Sequence, residues 1–400
     1  MSLTDRCPVF PSPQDLSVDH DISGCVRLAA SPVAIAVMAD GTPVRLALSH
    51  EAVRQVLVDP RFSRAEASRP GAPSVVPFHG QSGLLHAMDP PEHTALRAHI
   101  GRAFTSRTVE RLRPEIGALV AELLDTMEAA GPPADVVAHL TAPLPVTVLC
   151  RLLGVPYENH EAFRSWIETI VPASADAAPR AARAAEQLTA YLGSLIAAKR
   201  RTPGGEDLIS TLLAPGPDGL PLDDATVLAN LTPLLVAGHD TTHNQLSNSL
   251  VALFTHREQW DLLVRRPDRV PRAVDELLRH QLLSRIGMLM RVTTSEVDLA
   301  GVTLPPGTAV NALNHVANRD PVVFPDPDRL DVRRRAARKH LAFGAGPHYC
   351  PGGQLARLEL SVALEALVRR FPRLRPAVPV AELRWKDGIM RGPWHLPVTW

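Results

Sequence analysis

The chain has little with which to build a covalent framework. Its 400 residues contain 4 cysteines, Cys7, Cys25, Cys150 and Cys350, far apart and with no C-x-x-C pair. That spacing argues against a disulfide scaffold or a zinc site and fits a reducing compartment. An excess of charge of one sign is absent too, because 42 Lys and Arg balance 42 Asp and Glu. Nothing global therefore draws the chain to nucleic acid or to an anionic membrane, and any electrostatic partner must meet a local patch. No apolar run approaches the roughly 20 residues of a membrane span, and residues 1–10 lack the apolar centre of a signal peptide. A cytoplasmic, unanchored monomer is expected. Linkers and repeats are missing as well: the 38 prolines are scattered through connections such as Pro172, Pro203, Pro215 and Pro221.

What is present is apolar content of 45%, enough for a sizeable folded core. Residues 27–65 mix short apolar runs at 33–37 and 44–48 with a helical stretch at 50–58, which predicts a small sheet with a helix attached. Between 91 and 280 apolar residues recur at three- and four-residue spacing. They predict helices over 92–104, 107–130, 135–154, 160–171, 178–200, 205–213, 223–255, 257–264 and 267–280, divided by Pro and Gly. Residues 285–312, with Val292, Val297 and Leu299, have the pattern of short strands; a long irregular stretch, a helix at 353–370 and short strands to Trp400 follow. The expected fold class is mainly α with small β-sheets (α+β). One domain over 1–400 is expected, with a β-rich part at 27–65, a helical part at 91–280 and a mixed part at 281–400.

The most informative segment is Phe343-Gly344-Ala345-Gly346-Pro347-His348-Tyr349-Cys350-Pro351-Gly352-Gly353-Gln354-Leu355-Ala356-Arg357. Its glycines permit turns closed to other residues, so the loop can wrap around one central atom, the sulfur of Cys350. A cysteine ahead of a helix is pushed toward thiolate by the amides that follow it, and a thiolate is a haem ligand that favours O–O cleavage. The bland alternative is a buried cysteine beside a glycine-rich turn; the full spacing F-G-x-G-x-H-x-C-x-G-x-x-L-A-R separates the two. The loop resembles the haem-binding signature of the cytochrome P450 family, in its soluble, actinobacterial-like class. The resemblance runs from Asp59-Pro60-Arg61-Phe62-Ser63 to Leu396-Pro397-Val398.

The resemblance implies haem b (iron protoporphyrin IX) ligated by Cys350, lying between a long distal helix and the proximal cysteine loop. Phe343, Gly344, Gly352 and Ala356 belong to its surround. His93 and Arg97, four apart on one helical face, can both reach an anion; with Arg291 and His348 they are expected at the propionates. In Ala237-Gly238-His239-Asp240-Thr241-Thr242, small residues and then a β-branched hydroxyl residue are poor helix formers, which predicts a local opening of the helix. Pro233, one turn upstream, predicts a kink. By resemblance, Ala237 and Gly238 floor the oxygen site, and Asp240 and Thr241 relay protons to dioxygen, the co-substrate. Glu276 and Arg279 are three apart and can pair. The family adds a third residue from a segment like Pro327-Asp328-Arg329-Leu330, making it Arg329, with Leu330 standing where the family has Phe.

Substrate contacts implied by the resemblance are the 64–88 connection with His86, then Val236, Ala237, Ser284, Gly287, Met288, Leu289 and Met390. His239, His243 and Asn244 are polar company for such a pocket and suit a peptide or an aromatic cyclodipeptide, although packing explains His243 and Asn244 equally well. The runs Arg333 to Lys339 and Arg102, Arg107, Arg111, Arg113 are either solvated surface or the docking face for an acidic ferredoxin. That partner would bring electrons from NAD(P)H through ferredoxin reductase. The expected activity is that of a haem-thiolate monooxygenase of bacterial secondary metabolism, hydroxylating or epoxidising a small organic substrate. Oxidative C–C or C–N coupling of tryptophan-type cyclodipeptides or peptides is the alternative. A haem-thiolate sensor without turnover would have no need of the acid–alcohol pair Asp240-Thr241, and a non-haem helical binding module would leave Cys350 merely structural.

Overall fold

The computed structural model describes residues 31–38, 40–73, 83–170, 178–217, 219–386 and 389–400. Cys7, Cys25, residues 1–10, residues 27–30 of the β-rich part, residues 74–82 of the 64–88 connection and Pro172 lie outside them. The chain divides into two units. The first draws on the described residues of Met1–Thr94, Asp275–Cys350 and Asp387–Arg391, and the second on those of Ala95–Val274, Pro351–Lys386 and Gly392–Trp400. The last third of the sequence therefore does not stay together: 275–350 joins the N-terminal sheet, and 351–386 joins the helices.

In the first unit, strands β1 (Val33–Val37) and β2 (Pro43–Ala47) precede helix α1 (His50–Val58), followed by β3 (Phe62–Ser63), β4 (Arg291–Thr293) and β5 (Ala309–Ala312). They form one sheet in the order β1-β2-β5-β4-β3. Only β2 and β5 run parallel, with Arg45 opposite Val310, and Arg291 of β4 faces Val310 from the other side. Alternate side chains feed two apolar clusters, as a sheet buried on both faces requires. Val33, Ala47, Val310 and Ala312 join Ala52, Val53, Val56 and Leu57 of α1, while Ala36, Val44, Leu46 and Ala309 join Met290 and Leu313. Helix α1 starts where Ser49 accepts a bond from the Ala52 amide, with Glu51 in the first turn.

The second unit is built on helices α2 (Arg113–Ala130), α3 (Pro143–Leu153), α4 (Asp224–Thr255) and α5 (Gly353–Arg370). The expected helices at 107–130 and 135–154 are each divided just before a proline that enters the first turn of α2 or α3, a position where the missing amide costs nothing. Helix α4 begins at Asp223, whose carboxylate accepts from the Thr226 amide at 2.8 Å, and packs against α3 and α5. It continues through Pro233 and through 237–242 without a break. The opening predicted from composition is absent, because the Thr241 hydroxyl donates to the Ala237 carbonyl at 2.6 Å and is satisfied within the helix. Among the described residues no helix is long and apolar enough to cross a membrane.

Glu276 and Arg279 organise the irregular part of the first unit. Arg279 grips the carboxylate with two bonds, Nε to Oε2 at 2.7 Å and Nη2 to Oε1 at 2.8 Å, and neither side chain is exposed. Its Nη1 donates to the carbonyls of Asn318 and Pro327 at 3.0 and 2.8 Å. The third member is Arg334, not Arg329: Arg334 Nε donates to Glu276 Oε1 at 3.0 Å, and its Nη2 to the carbonyls of Asp326 and Arg329. Arg329 is exposed and meets the network through its backbone: its carbonyl accepts from Arg279 and Arg334, and its amide donates to the Asp326 carbonyl at 3.3 Å. Breaking a buried ion pair from one side costs about 3–5 kcal/mol, whereas an exposed site away from such features stays within about 0.5 kcal/mol. Arg334→Ala is accordingly expected to lower unfolding free energy in a denaturant titration by about 3 kcal/mol and Arg329→Ala to leave it nearly unchanged.

Candidate active site

The cysteine loop is set by backbone constraints in the first unit. Gly344 and Gly346 have φ of 74° and 69°, a left-handed conformation that glycine adopts without penalty. A Cβ on Gly346 would lie 2.6 Å from the Leu57 carbonyl at the end of α1, and one on Gly344 would lie 3.2 Å from Met288 Cε. The Cys350 amide donates to the Phe343 carbonyl at 2.9 Å, closing the loop, and the Cys350 thiol is half-buried and not in a disulfide. Asn318 links this loop to the Glu276 network: its carbonyl accepts from Arg279, and its side-chain oxygen accepts from the Leu341 amide at 2.7 Å. The rings of His348 and His93 lie 4.1 Å apart, and His93 is buried.

The same unit holds two buried guanidinium groups. Arg64 donates to the carbonyls of His86 and Met290, and burial lowers its pKa to about 10. Arg291 is 3% exposed, has a single long hydrogen bond to the Leu289 carbonyl at 3.4 Å, and makes no ion pair among the described residues. Burial first and the Arg64 charge second lower its pKa to about 9, with Asp89 opposing. Asp89 is already engaged, accepting from the Ser63 hydroxyl and the Arg64 amide. A buried cation with no paired carboxylate among the described residues is matched by an added anion. The residues thus fit a haem: a cysteine outside any disulfide in a glycine loop, and a desolvated arginine suited to a propionate. His86, with its pKa lowered to about 4 by burial and then by Arg64, is neutral.

Other predicted residues of the first unit also come together. Ser284 pairs with Met390 in an antiparallel bridge, and its hydroxyl donates to the Gly287 carbonyl at 3.0 Å. Gly287 has a φ of 72°, and a Cβ there would sit 2.7 Å from Leu313 Cδ2, so glycine is required. Met288 donates its amide to the Ala312 carbonyl at 3.0 Å, which places Leu289 as the next residue in the approach to β4.

Arg97, Val236 to Thr241, Gly352 and Ala356 belong to the second unit. On α4, Ala237 is exposed although mid-helix, Val236 and Thr241 are half-buried, and a Cβ on Gly238 would touch Leu149 of α3 at 3.3 Å. Asp240 Oδ1 accepts from Asn244 Nδ2 at 2.8 Å. Burial raises the Asp240 pKa, while Lys386 and the Asn244 bond pull it down. His243 and Asn244 are buried and engaged with Lys386 and Asp240, so their polarity is taken up within the chain and does not argue for a peptide substrate. Ala356 donates its amide to the Gly352 carbonyl at 2.9 Å, forming the first turn of α5. Lys386 is the member that sequence reasoning missed; no motif or periodicity connects it to α4.

The family model described as Cytochrome P450 matches residues 270–389. Nocardicin C N-oxygenase of Nocardia uniformis subsp. tsuyamanensis is 46% identical to this chain, over 89% of each protein. Mycinamicin IV hydroxylase/epoxidase of Micromonospora griseorubida is 41% identical over 90% of each. The solved structure of the mixed-function P450 MycG matches with a TM-score of 0.91 and 38% identity, covering 98% of this chain and 100% of that one. Relatives of this identity and coverage, together with the cysteine loop and the buried cations, make the chain a member of the cytochrome P450 family, a haem-dependent monooxygenase.

Proposed function

We propose that this P450 tailors a small organic molecule of bacterial secondary metabolism by inserting oxygen, as a hydroxylase, epoxidase or N-oxygenase. Cys350 is the proposed iron ligand, with Phe343, Gly344, Gly352 and Ala356 lining the haem, and His93, Arg97, Arg291 and His348 taking its propionates. When bound, the haem supplies the electron transfer that activates dioxygen. On the chain's side, Ala237 and Gly238 keep bulk away from α4, while the Asp240 carboxyl and the Thr241 hydroxyl hold and pass protons. His86, Val236, Ser284, Gly287, Met288, Leu289 and Met390 are the proposed substrate contacts. The observation that carries the proposal is the Cys350 loop standing in the same unit as Arg291, a buried cation with no ion pair among the described residues. Both curated relatives described above are named for oxygenation, which favours insertion over C–C or C–N coupling of cyclodipeptides.

Electrons are proposed to come from NAD(P)H through ferredoxin reductase and an acidic ferredoxin. The basic run loses Arg334 to the buried network, while its other arginines and Lys339 stay at the surface. Arg334 is locked onto buried Glu276, Arg333 and Arg338 pair with Asp331 and Asp275 while staying exposed themselves, and Arg335 and Lys339 are exposed and outside any ion pair among the described residues. In the other run Arg102 is spent on the carbonyls of Thr211, Ala214 and Pro215, Arg111 pairs with Glu206 and Arg113 with Glu110.

The reduced protein under carbon monoxide is expected to show the red-shifted Soret band of a thiolate-ligated haem, and Cys350→Ser is expected to lose it; a Cys350→Ser protein that keeps the band ends the proposal. Thr241→Ala is expected to go on consuming NAD(P)H while oxygenated product falls by on the order of 10²-fold, the missing electrons appearing as hydrogen peroxide. Unchanged product yield in that variant would remove Thr241 from the proton path.

A further inference from the structure

The C-terminal segment brings to α4 a charge that the P450 motifs do not mention. Trp385 pairs with Pro393 in an antiparallel bridge, and the Lys386 amide donates to the Gly392 carbonyl at 2.9 Å. Lys386 and Gly392 therefore meet α4 side by side. Lys386 Nζ lies 3.1 Å from His243 Nε2, 3.9 Å from Asp240 Oδ1 and 5.6 Å from the centre of the Trp394 ring. At Gly392 a Cβ would stand 2.0 Å from Asn244 Oδ1, so the asparagine keeps its place only because that residue is glycine. Asn244 in turn donates Nδ2 to the Asp240 side chain and to the Asp240 carbonyl, both at 2.8 Å. The base of this hairpin and Asn244 together fix the carboxylate.

We infer that Lys386 is a positioning residue for oxygenation: its ammonium, seated on the neutral ring of His243, sets the pH at which Asp240 releases and regains its proton. The inference rests on Asp240 serving the proton path proposed above. His243 can accept from the ammonium because burial and the Lys386 charge hold its pKa well below the ordinary value. At 3.9 Å the ammonium acts on Asp240 as a charge, not as a hydrogen-bond donor. An opposite charge within about 4–6 Å moves a carboxyl pKa down by about 1–3 units, against the upward push of burial.

The other groups around the pair are accounted for. Asn244 favours the charged form of Asp240. Glu168, on the helix His160–Ile170, helps keep Lys386 protonated against burial. His239 is neutral, its pKa lowered to about 4 by burial and then by Lys386. Lys386 is thus the cation that acts on Asp240, and it is part-exposed, so it can exchange protons with solvent.

The test uses the haem-loaded protein with Lys386→Met, Lys386→Gln and Lys386→Arg, each also made in an Asp240→Asn background. Product formed per NAD(P)H is followed against pH, and the Asp240 carboxyl is titrated separately by infrared difference between each protein and its Asp240→Asn counterpart. Lys386→Met and Lys386→Gln are expected to move the alkaline limb and the Asp240 midpoint up together by about one unit or more. Lys386→Arg should hold both near wild type, and Asp240→Asn should abolish the effect of Lys386→Met on the pH profile. Equal Asp240 midpoints in wild type and Lys386→Met would overturn the inference, as would a shift that survives in the Asp240→Asn background. The carbon monoxide spectrum separates this failure from that of the parent reading: a wild-type protein without the thiolate band overturns the haem assignment, whereas a protein with the band and an unmoved midpoint overturns only the role of Lys386.

Discussion

Glu276 and Arg279 are held where no water reaches them, and a charge pair in such a place persists only while its remaining hydrogen bonds are made. Arg334 and the carbonyls of Asn318, Pro327 and Arg329 complete those bonds, so the irregular chain from 318 to 334 takes its shape largely from side chains. Asn318 then passes that order on through its bond to the Leu341 amide, at the entrance to the cysteine loop. Gly346 lies against the end of α1 and anchors the loop's other side. Cys350 is in this way positioned by a core to which it does not itself belong.

The same unit carries a cost that an anionic ligand can offset. Arg64 and Arg291 are both desolvated, each disfavours the other's charge, and Asp89 is committed to capping the turn at Ser63. A protein without a prosthetic group would gain by replacing Arg291 with an apolar residue, since a strand position opposite Val310 in a buried sheet asks for one. Retaining a guanidinium there is explained by an anionic partner. On α4 the balance differs in kind: burial raises the pKa of Asp240 while Lys386 and Asn244 lower it, which suits a group that must both hold and release a proton.

Much of this was legible in the sequence, and what was not has physical reasons. The cysteine loop could be read because its glycines are demanded by backbone geometry and sit at fixed distances from Cys350. Helices such as α1 and α4 could be read because Ser49 and Asp223 are strong caps ahead of regular apolar spacing. Arg334 could not be told from Arg329, since the irregular chain between them decides which side chain reaches Glu276 and which offers only its backbone, and spacing does not encode that path. The composition of 237–242 misled, because Thr241 finds its partner in the Ala237 carbonyl without opening the helix. Lys386 was invisible: it meets His243 from 143 positions away, and only the folded C-terminal hairpin brings the two together.

The central claim is a bond between the sulfur of Cys350 and the haem iron, and X-ray absorption at the iron edge observes that bond without turnover, substrate or redox partner. The account predicts a sulfur neighbour in the first coordination shell of the purified protein, and a shell of nitrogen and oxygen alone in Cys350→Ser. A wild-type shell with no sulfur, or a sulfur that persists when Cys350 is serine, would contradict it.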